Sequence, residues 1–550
     1  MQKSLKAADL FVKCLEVEGV KYIFGIPGEE NLAVLEAIRR SKIKFIITKH
    51  EQAAAFMAAT VGRLTGVPGV ALSTLGPGAT NLLTGIAYAN LGGMPMLAIT
   101  GQKPIRKVKQ GKFQLIDVVR LMEPVTKFSG TIESGERVQT MVRQAFKIAE
   151  YERPGAVHLE LPEDIMEEKV SGKPIISEKI RRPAGDKKAI LKAVEAIENA
   201  KSPMVLISAG ANRKLIRKQL KAFLGKTGIP FATTQMGKGV EDESSELYIG
   251  TTALSKGDYI HKALEKSDVV IVIGHDVSEK PPVILTPERH KVIHINFYPS
   301  EINEVYIPTL EVIGDISNSL WQITNAITTQ KNWDFKYFFK IKKALQKNIE
   351  KYSESLKFPL LPERIVADLR KAMPKDGILS LDNGMYKIWI ARNYPAYEQN
   401  SVLLDNALAT MGAGIPSGIA TKILFPDKKV LIVTGDGGFM MSSAEIETAK
   451  RLGLDLTILI LNDSGFGMIR WHQEVMHLPN FAMRFGNPDF KLLAKSFGTS
   501  GTDIKKAKDF LPTIKKCLNL KGVHIINCPI NYSMTSEALG KGLQKELSKI

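Results

Sequence analysis

The sequence predicts an α/β protein of three doubly wound parallel-sheet domains, and three observations predict it. Short apolar runs that read as strands alternate with helical segments, the pattern of a parallel sheet covered on both faces. Two polar, charged stretches, Glu167–Lys187 and Gln330–Lys357, divide the chain into blocks 1–166, 188–328 and 358–550. Within the last block, Gly435–Met468 reads as a strand end, a glycine turn, a helix and a second strand, with a carboxylate at each strand end. A length of 550 residues gives every block enough chain for its own core.

The elements follow in order. MQKSLKAADLFVKCLEVEGV at the N-terminus is an amphipathic helix without a signal-peptide core or cleavage site, so a cytoplasmic location is expected. In the first block, strands are expected at Tyr22–Gly25, Phe45–Thr48, Gly69–Ser73 and Met96–Gly101. The second block has them at Met204–Ser208, Val269–Gly274 and Val292–Asn296, and the third at Lys429–Thr434 and in the apolar run ending at Asn462. Blocks one and three share size and element order, as expected of two related domains that embrace one ligand.

Composition narrows the function classes. The hydrophobic fraction of 44% and charged fraction of 24% are those of a globular protein. No apolar run reaches the ~18 residues of a membrane span, so no membrane partner is expected. Cys14, Cys517 and Cys528 are far apart and form no CxxC spacing, which supports neither a disulfide framework nor a metal knuckle. The net charge of +18 is mostly lysine scattered over helix faces and linkers. It reads as solvated surface or as steering of anionic substrates, and without a nucleic-acid module no nucleic-acid partner is expected.

The chemistry concentrates between Asp436 and Asp463. Ligands of an open parallel sheet sit at the carboxyl ends of its strands, and the bare N–H groups of a Gly-Gly turn at a helix start can cradle phosphate. Two carboxylates beside such a turn supply hard oxygen ligands suited to Mg²⁺ bridging protein and a diphosphate. An ordinary crossover with turn glycines and surface acids would give GDG alone; the added Asn462-Asp463 end and the Gly465/Gly467 loop make the pattern more specific.

These residues resemble the thiamine diphosphate (ThDP) motif of the superfamily that includes acetolactate synthases and pyruvate decarboxylases, and the resemblance extends along nearly the whole chain. It implies pyrimidine-binding, central and diphosphate-binding domains in that order. It implies Mg²⁺ on Asp436, Asp463 and the Gly465 carbonyl, with Gly435, Gly437, Gly438, Phe466, Gly467 and Met468 around the diphosphate. Asn383, Gly384, Met385 and Tyr386 in LDNGMYKIWIAR match the loop over the diphosphate. Thr74, Pro77 and Asn81 in STLGPGATN match the pyrimidine side, as does Pro27 in GIPGEENL. By composition STLGPGATN is a plain turn and helix start.

Glu51, in HEQAAAFMA, opens an Ala-rich helix, where a carboxylate favours the N-terminal macrodipole. The same run matches the family's catalytic Glu, which relays a proton to the cofactor's pyrimidine; a semi-buried carboxylate suits that exchange. Met411, by composition a core methionine, matches the hydrophobic wedge beneath the thiazolium. The Ala409 carbonyl and Met411 N–H match the backbone groups that hold the pyrimidine.

Phe113 and Gln114 resemble the pair that faces the second substrate in acetolactate synthases, where pyruvate decarboxylases carry a His pair. Asp463, RPGAVHLELPEDI and DNGMYKIWIAR look most like the FAD-independent catabolic acetolactate synthases. Trp471 falls where the biosynthetic branch has a Trp that favours 2-ketobutyrate as acceptor. IGTTA (249–253) and GHDVSEKPP (274–282) lack the His and Arg that hold FAD in that branch, so FAD is expected to be absent. Glu29 stands where pyruvate decarboxylases place an acid: it either protonates a decarboxylated intermediate, releasing an aldehyde, or caps the following helix.

The resemblance implies a Mg²⁺- and ThDP-dependent transferase that decarboxylates pyruvate and joins the fragment to a second 2-oxo acid, giving 2-acetolactate and CO₂. Two alternatives stay open, a non-carboligating 2-oxo acid decarboxylase and a non-catalytic binding or regulatory homologue. Active sites shared between subunits imply a homodimer or homotetramer, and a regulatory subunit is left open.

Overall fold

The computed structural model describes residues 5–106, 111–176, 182–213, 216–252, 258–278, 284–535, 538, 539, 543, 547 and 548. Two compact units form: Met1–Arg181 with Ala407–Pro426 and Ser442–Gly453, and Arg182–Asn406 with Asp427–Met441 and Leu454–Ile550. The first carries one six-stranded sheet and the second carries two.

In the first unit β1 (Tyr22–Gly25), β2 (Lys44–Ile47), β3 (Gly69–Ser73), β4 (Met96–Gln102), β5 (Phe128–Thr131) and β6 (Ala156–Pro162) lie in the order β2-β1-β3-β4-β6-β5. All neighbours are parallel. The strand order reverses between β1 and β3, and it is at such switch points that open α/β sheets leave a crevice for ligands. Those two strands lead into GIPGEEN and STLGPG. β3, β4 and β6 are buried throughout, as expected of strands covered on both faces.

The second unit's first sheet holds β7 (Pro203–Ile207), β8 (Phe231–Thr233), β9 (Tyr248–Thr251), β10 (Val269–Ile273), β11 (Lys291–Asn296) and β12 (Leu310–Ile313), ordered β9-β8-β7-β10-β11-β12. Its other sheet holds β13 (Ile378–Leu381), β14 (Val402–Leu403), β15 (Val430–Gly435), β16 (Leu456–Asn462), β17 (Ser500–Asp503) and β18 (Val523–Pro529), ordered β14-β13-β15-β16-β18-β17. That is the order of the first unit's sheet, so the kinship expected of blocks one and three is present in their topology. Here the switch point lies between β13 and β15, which are followed directly by Asp382 and Asp436.

Two of the differences from the sequence expectation concern helices. The stretch Gln330–Lys357, read as a charged link, contains the helix Lys336–Glu350, whose Phe338, Ile341 and Leu345 pack with Met204, Val270 and Val292. Its apolar residues recur at helical spacing while lysines cover the other face. The N-terminal helix runs Ala7–Val17, after a two-residue strand, Leu5–Lys6, that pairs antiparallel with Lys169–Val170.

Candidate active site

In the first unit Glu51 is the first residue of the helix Glu51–Thr65, capped by His50, whose Nδ1 accepts the Gln52 N–H at 3.1 Å. Glu51 is only 8% exposed, and its Oε2 accepts from the Asn81 carboxamide at 3.0 Å. Asn81 comes from the helix Pro77–Leu91, which lies close against Glu51–Thr65 because Gly85 has no side chain: a Cβ there would stand 2.3 Å from the Ala55 Cβ. The structure thus brings together two residues, Glu51 and Asn81, that the sequence placed thirty positions apart.

A residue the sequence reading missed holds the turn before Glu51. Glu445, 1% exposed, accepts the backbone N–H groups of Lys49 at 2.8 Å and His50 at 3.2 Å through Oε1, and the Thr448 hydroxyl at 2.7 Å through Oε2. Burial raises its pKa, against the hydrogen bonds from Thr448, Lys49 and His50. By sequence it is one acid in a helix, and only its burial distinguishes it.

The GIPGEEN and STLGPG loops are joined by another missed acid. Glu30 accepts from Lys103 Nζ at 2.7 Å and from the Thr74 hydroxyl at 2.5 Å. Burial pushes its pKa up, but these partners outweigh it and hold it below the usual carboxylate range. Glu29, the acid singled out by sequence, is exposed at the start of the short turn Glu29–Asn31, whose N-cap is Gly28. Pro27 is exposed just before Gly28, which abuts Thr74.

Gln114 has a left-handed backbone, φ 58°, and its carbonyl lies where a Cβ on Gly76 would stand 2.7 Å away. Pro77 follows as the first residue of its helix. Phe113 is 69% exposed. Ala409 is exposed with φ 53°, and Met411 is half-buried. Non-glycine residues in the left-handed region carry strain of about 1–3 kcal/mol and cluster where surroundings fix them for function.

In the second unit the carboxyl ends of β13, β15 and β16 carry the acids. Asp436 is 1% exposed; its Oδ2 accepts from Asn487 Nδ2 at 2.8 Å, and the same amide reaches Asn462 Oδ1 at 3.3 Å. Burial raises the Asp436 pKa, against the Asn487 bond and backbone N–H groups. Asp463 is pushed up to about 6, chiefly by burial, with Arg470 opposing and the Asp436 charge adding. Arg470 Nη2 bonds Asp463 Oδ2 at 2.5 Å. Ser464 follows at φ 51°, and the Gly465 carbonyl accepts the Gly467 N–H at 3.1 Å.

This donor set fits a hard cation. The charge of Asp436 raises the proton affinity of Asp463, both are oxygen ligands, and Asn487 Oδ1 is buried with no hydrogen-bond partner among the described residues. Asn487 and Arg470 escaped the sequence reading: nothing local marks either as a neighbour of these acids. Phe466 packs beside Phe485, and Met468 lies against the core.

The Asp436 turn needs its glycines. A Cβ on Gly438 would stand 2.6 Å from Asp382 Oδ2. Asp382, fully buried, accepts the Asn383 N–H at 2.7 Å and the Thr434 hydroxyl at 3.1 Å, tying the Asn383–Tyr386 loop to the Gly435–Gly438 turn. Met385 and Tyr386 are buried beyond Gly384. Trp471, half-buried with its indole N–H unpartnered among the described residues, lines a cavity of about 640 Å³ with Met385, Asp463, Gly467 and Arg470.

At the switch point of the sheet β7–β12 the loops after β7 and β10 are bonded directly, Gly210 N–H to the Gly274 carbonyl at 2.8 Å, and Arg213 pairs with Asp276. Of the stretches considered for FAD, Ala253 and residues 279–282 lie outside the described residues. Among the described residues no helix is long and apolar enough to cross a membrane.

Three family models match in sequence: the N-terminal TPP binding domain of thiamine pyrophosphate enzymes over residues 5–121, their central domain over 190–323, and their C-terminal TPP binding domain over 382–528. The chain is 32% identical to an acetolactate synthase of Bacillus subtilis, covering 100% of this chain and 98% of the relative. It is 31% identical to a catabolic acetolactate synthase of Raoultella terrigena (99% and 98%) and 28% identical to the acetolactate synthase isozyme 1 large subunit of Escherichia coli (96% and 95%).

Proposed function

Because this chain belongs to the thiamine pyrophosphate (thiamine diphosphate) enzyme family, we propose that it is an acetolactate-forming carboligase that takes two molecules of pyruvate to 2-acetolactate and CO₂. The observation that carries the reading is its similarity to acetolactate synthases over the full length of the chain.

Bound thiamine diphosphate supplies the electron sink for decarboxylation of a 2-oxo acid, and the protein supplies position, a dry site and proton traffic. Asp436, Asp463 and the Gly465 carbonyl are the proposed Mg²⁺ ligands, and the Gly435–Gly438 turn and the Asn383–Tyr386 loop the diphosphate cradle. Phe466, Gly467 and Met468 would also hold the diphosphate. Glu51, held by Asn81, would hold and move the proton at the pyrimidine, and Pro27, Thr74, Pro77, Ala409 and Met411 would hold that ring. Phe113 and Gln114 face the acceptor, and Trp471 sets its size, pyruvate or 2-ketobutyrate. The bonded loops after β7 and β10 support a central domain without FAD. A homodimer or homotetramer sharing its sites is the proposed assembly.

Incubation with pyruvate, ThDP and Mg²⁺, with assay of acetolactate and acetaldehyde, tests the reading. Acetolactate is expected. Acetaldehyde without acetolactate would favour the decarboxylase alternative, and inertness toward every 2-oxo acid the non-catalytic one.

A further inference from the structure

We propose that Lys387 is a positioning residue of the diphosphate loop: it fixes the Asn383 carboxamide and the Asp405 peptide and sets a buried positive charge for the cofactor's diphosphate. The inference rests on the cofactor reading above.

Lys387 stands in the first turn of the helix Met385–Asn393 and is 4% exposed. Its Nζ donates to Asn383 Oδ1 and to the Asp405 carbonyl, the latter at 2.8 Å. Both acceptors are neutral. The Asp405 and Asp382 carboxylates act on it only through space, and burial outweighs them, bringing its pKa down to about 8.

Three physical arguments make this an odd place for an ammonium group. A cation in the first turn of a helix faces the positive end of the macrodipole. Buried charges are ordinarily paired, because desolvation is otherwise uncompensated. A methionine would fill the same space without that cost. Asp405 and Asp382 offset part of that cost through space, yet burial still outweighs them, so a further negative charge at the amine would be stabilising; the helix starts at the switch point where β13 and β15 part, directly after Asn383 and Gly384. Helix N-terminus and lysine therefore favour the same ligand, a diphosphate. Meanwhile the Asn383 bond orients the side chain of the loop's first residue, and the Asp405 bond anchors the chain four residues before Ala409.

The test is ThDP binding at saturating Mg²⁺ without substrate, read by quenching of intrinsic tryptophan fluorescence from pH 7 to 9. If the charged amine is required, a group at about 8 makes the parent's Kd weaken about tenfold over that range. Lys387→Arg should bind like the parent at pH 7 and lose the pH dependence, since a guanidinium stays charged. Lys387→Met should bind about tenfold or more weakly at pH 7, also without pH dependence, and the melt of the apo protein measures separately the cost of stranding the Asn383 and Asp405 acceptors. Should Lys387→Met not fold, Lys387→Gln takes its place in the comparison. A Met or Gln variant with the parent's affinity and pH profile would overturn the inference; a parent that binds no ThDP would instead overturn the proposed function.

Discussion

Replacing Glu51 by Gln separates its proposed chemistry from its structural part. The glutamine is nearly isosteric, and its oxygen can still accept from Asn81, the partner at 3.0 Å. What is lost structurally is the charge-assisted share of one hydrogen bond, roughly 1 kcal/mol. For a domain of ordinary size that shifts Tm by about 2–4 °C. What is lost chemically is a proton relay, worth roughly 10²–10⁴ in rate, or about 3–5 kcal/mol. The two effects are thus separable by calorimetry of the apo protein and kcat for pyruvate consumption at saturating ThDP and Mg²⁺. The account expects kcat down by at least ~100-fold with ThDP still bound. A Glu51→Gln enzyme as fast as its parent would refute the role of Glu51 and the mechanism built on it.

Two further outcomes follow from the same geometry. Glu445→Gln can keep its oxygen toward the Lys49 and His50 N–H groups, so it should cost roughly 1–2 kcal/mol, whereas Glu445→Ala strands both donors and should cost roughly 2–4 kcal/mol; denaturant melts measure the difference, and equal, negligible costs would contradict it. Asp463, at about 6 when folded against ~3.9 unfolded, binds its proton more tightly in the native state. Its contribution to stability is therefore fully present below about pH 4 and lost as the pH rises through 6, about 3 kcal/mol in all. Metal binding needs the deprotonated form, so Mn²⁺ affinity, followed by electron paramagnetic resonance with ThDP present, should fall about tenfold from pH 7 to 5. A flat profile would exclude Asp463 as a ligand.

Residues whose chemistry is local were the legible ones. The turn Gly435–Gly438 and the Asn462-Asp463 strand end announce themselves because glycine turns and apolar strands leave patterns within a few residues, and the structure places both at one sheet's carboxyl edge. The same reasoning found β1 and β3 with the bounds they have in the structure. It missed β5 and β17, FSGT and SGTD, whose small polar residues read as loop and form strands only because a neighbour supplies the ladder. Asn487 and Glu445 act through side chains that reach residues far away in sequence, and no periodicity marks them. Glu30 was overshadowed by Glu29, since adjacent acids cannot be ranked until burial is known; the fold buries one and exposes the other.

Carboligation is the central claim, and the ratio of CO₂ released to pyruvate consumed measures it most directly, since a simple decarboxylase gives another value and a non-catalytic homologue consumes no pyruvate. With ThDP and Mg²⁺ supplied and pyruvate the only substrate, the account predicts one CO₂ for every two pyruvates, with acetolactate accumulating in step. One CO₂ for every pyruvate, accompanied by aldehyde, would contradict it.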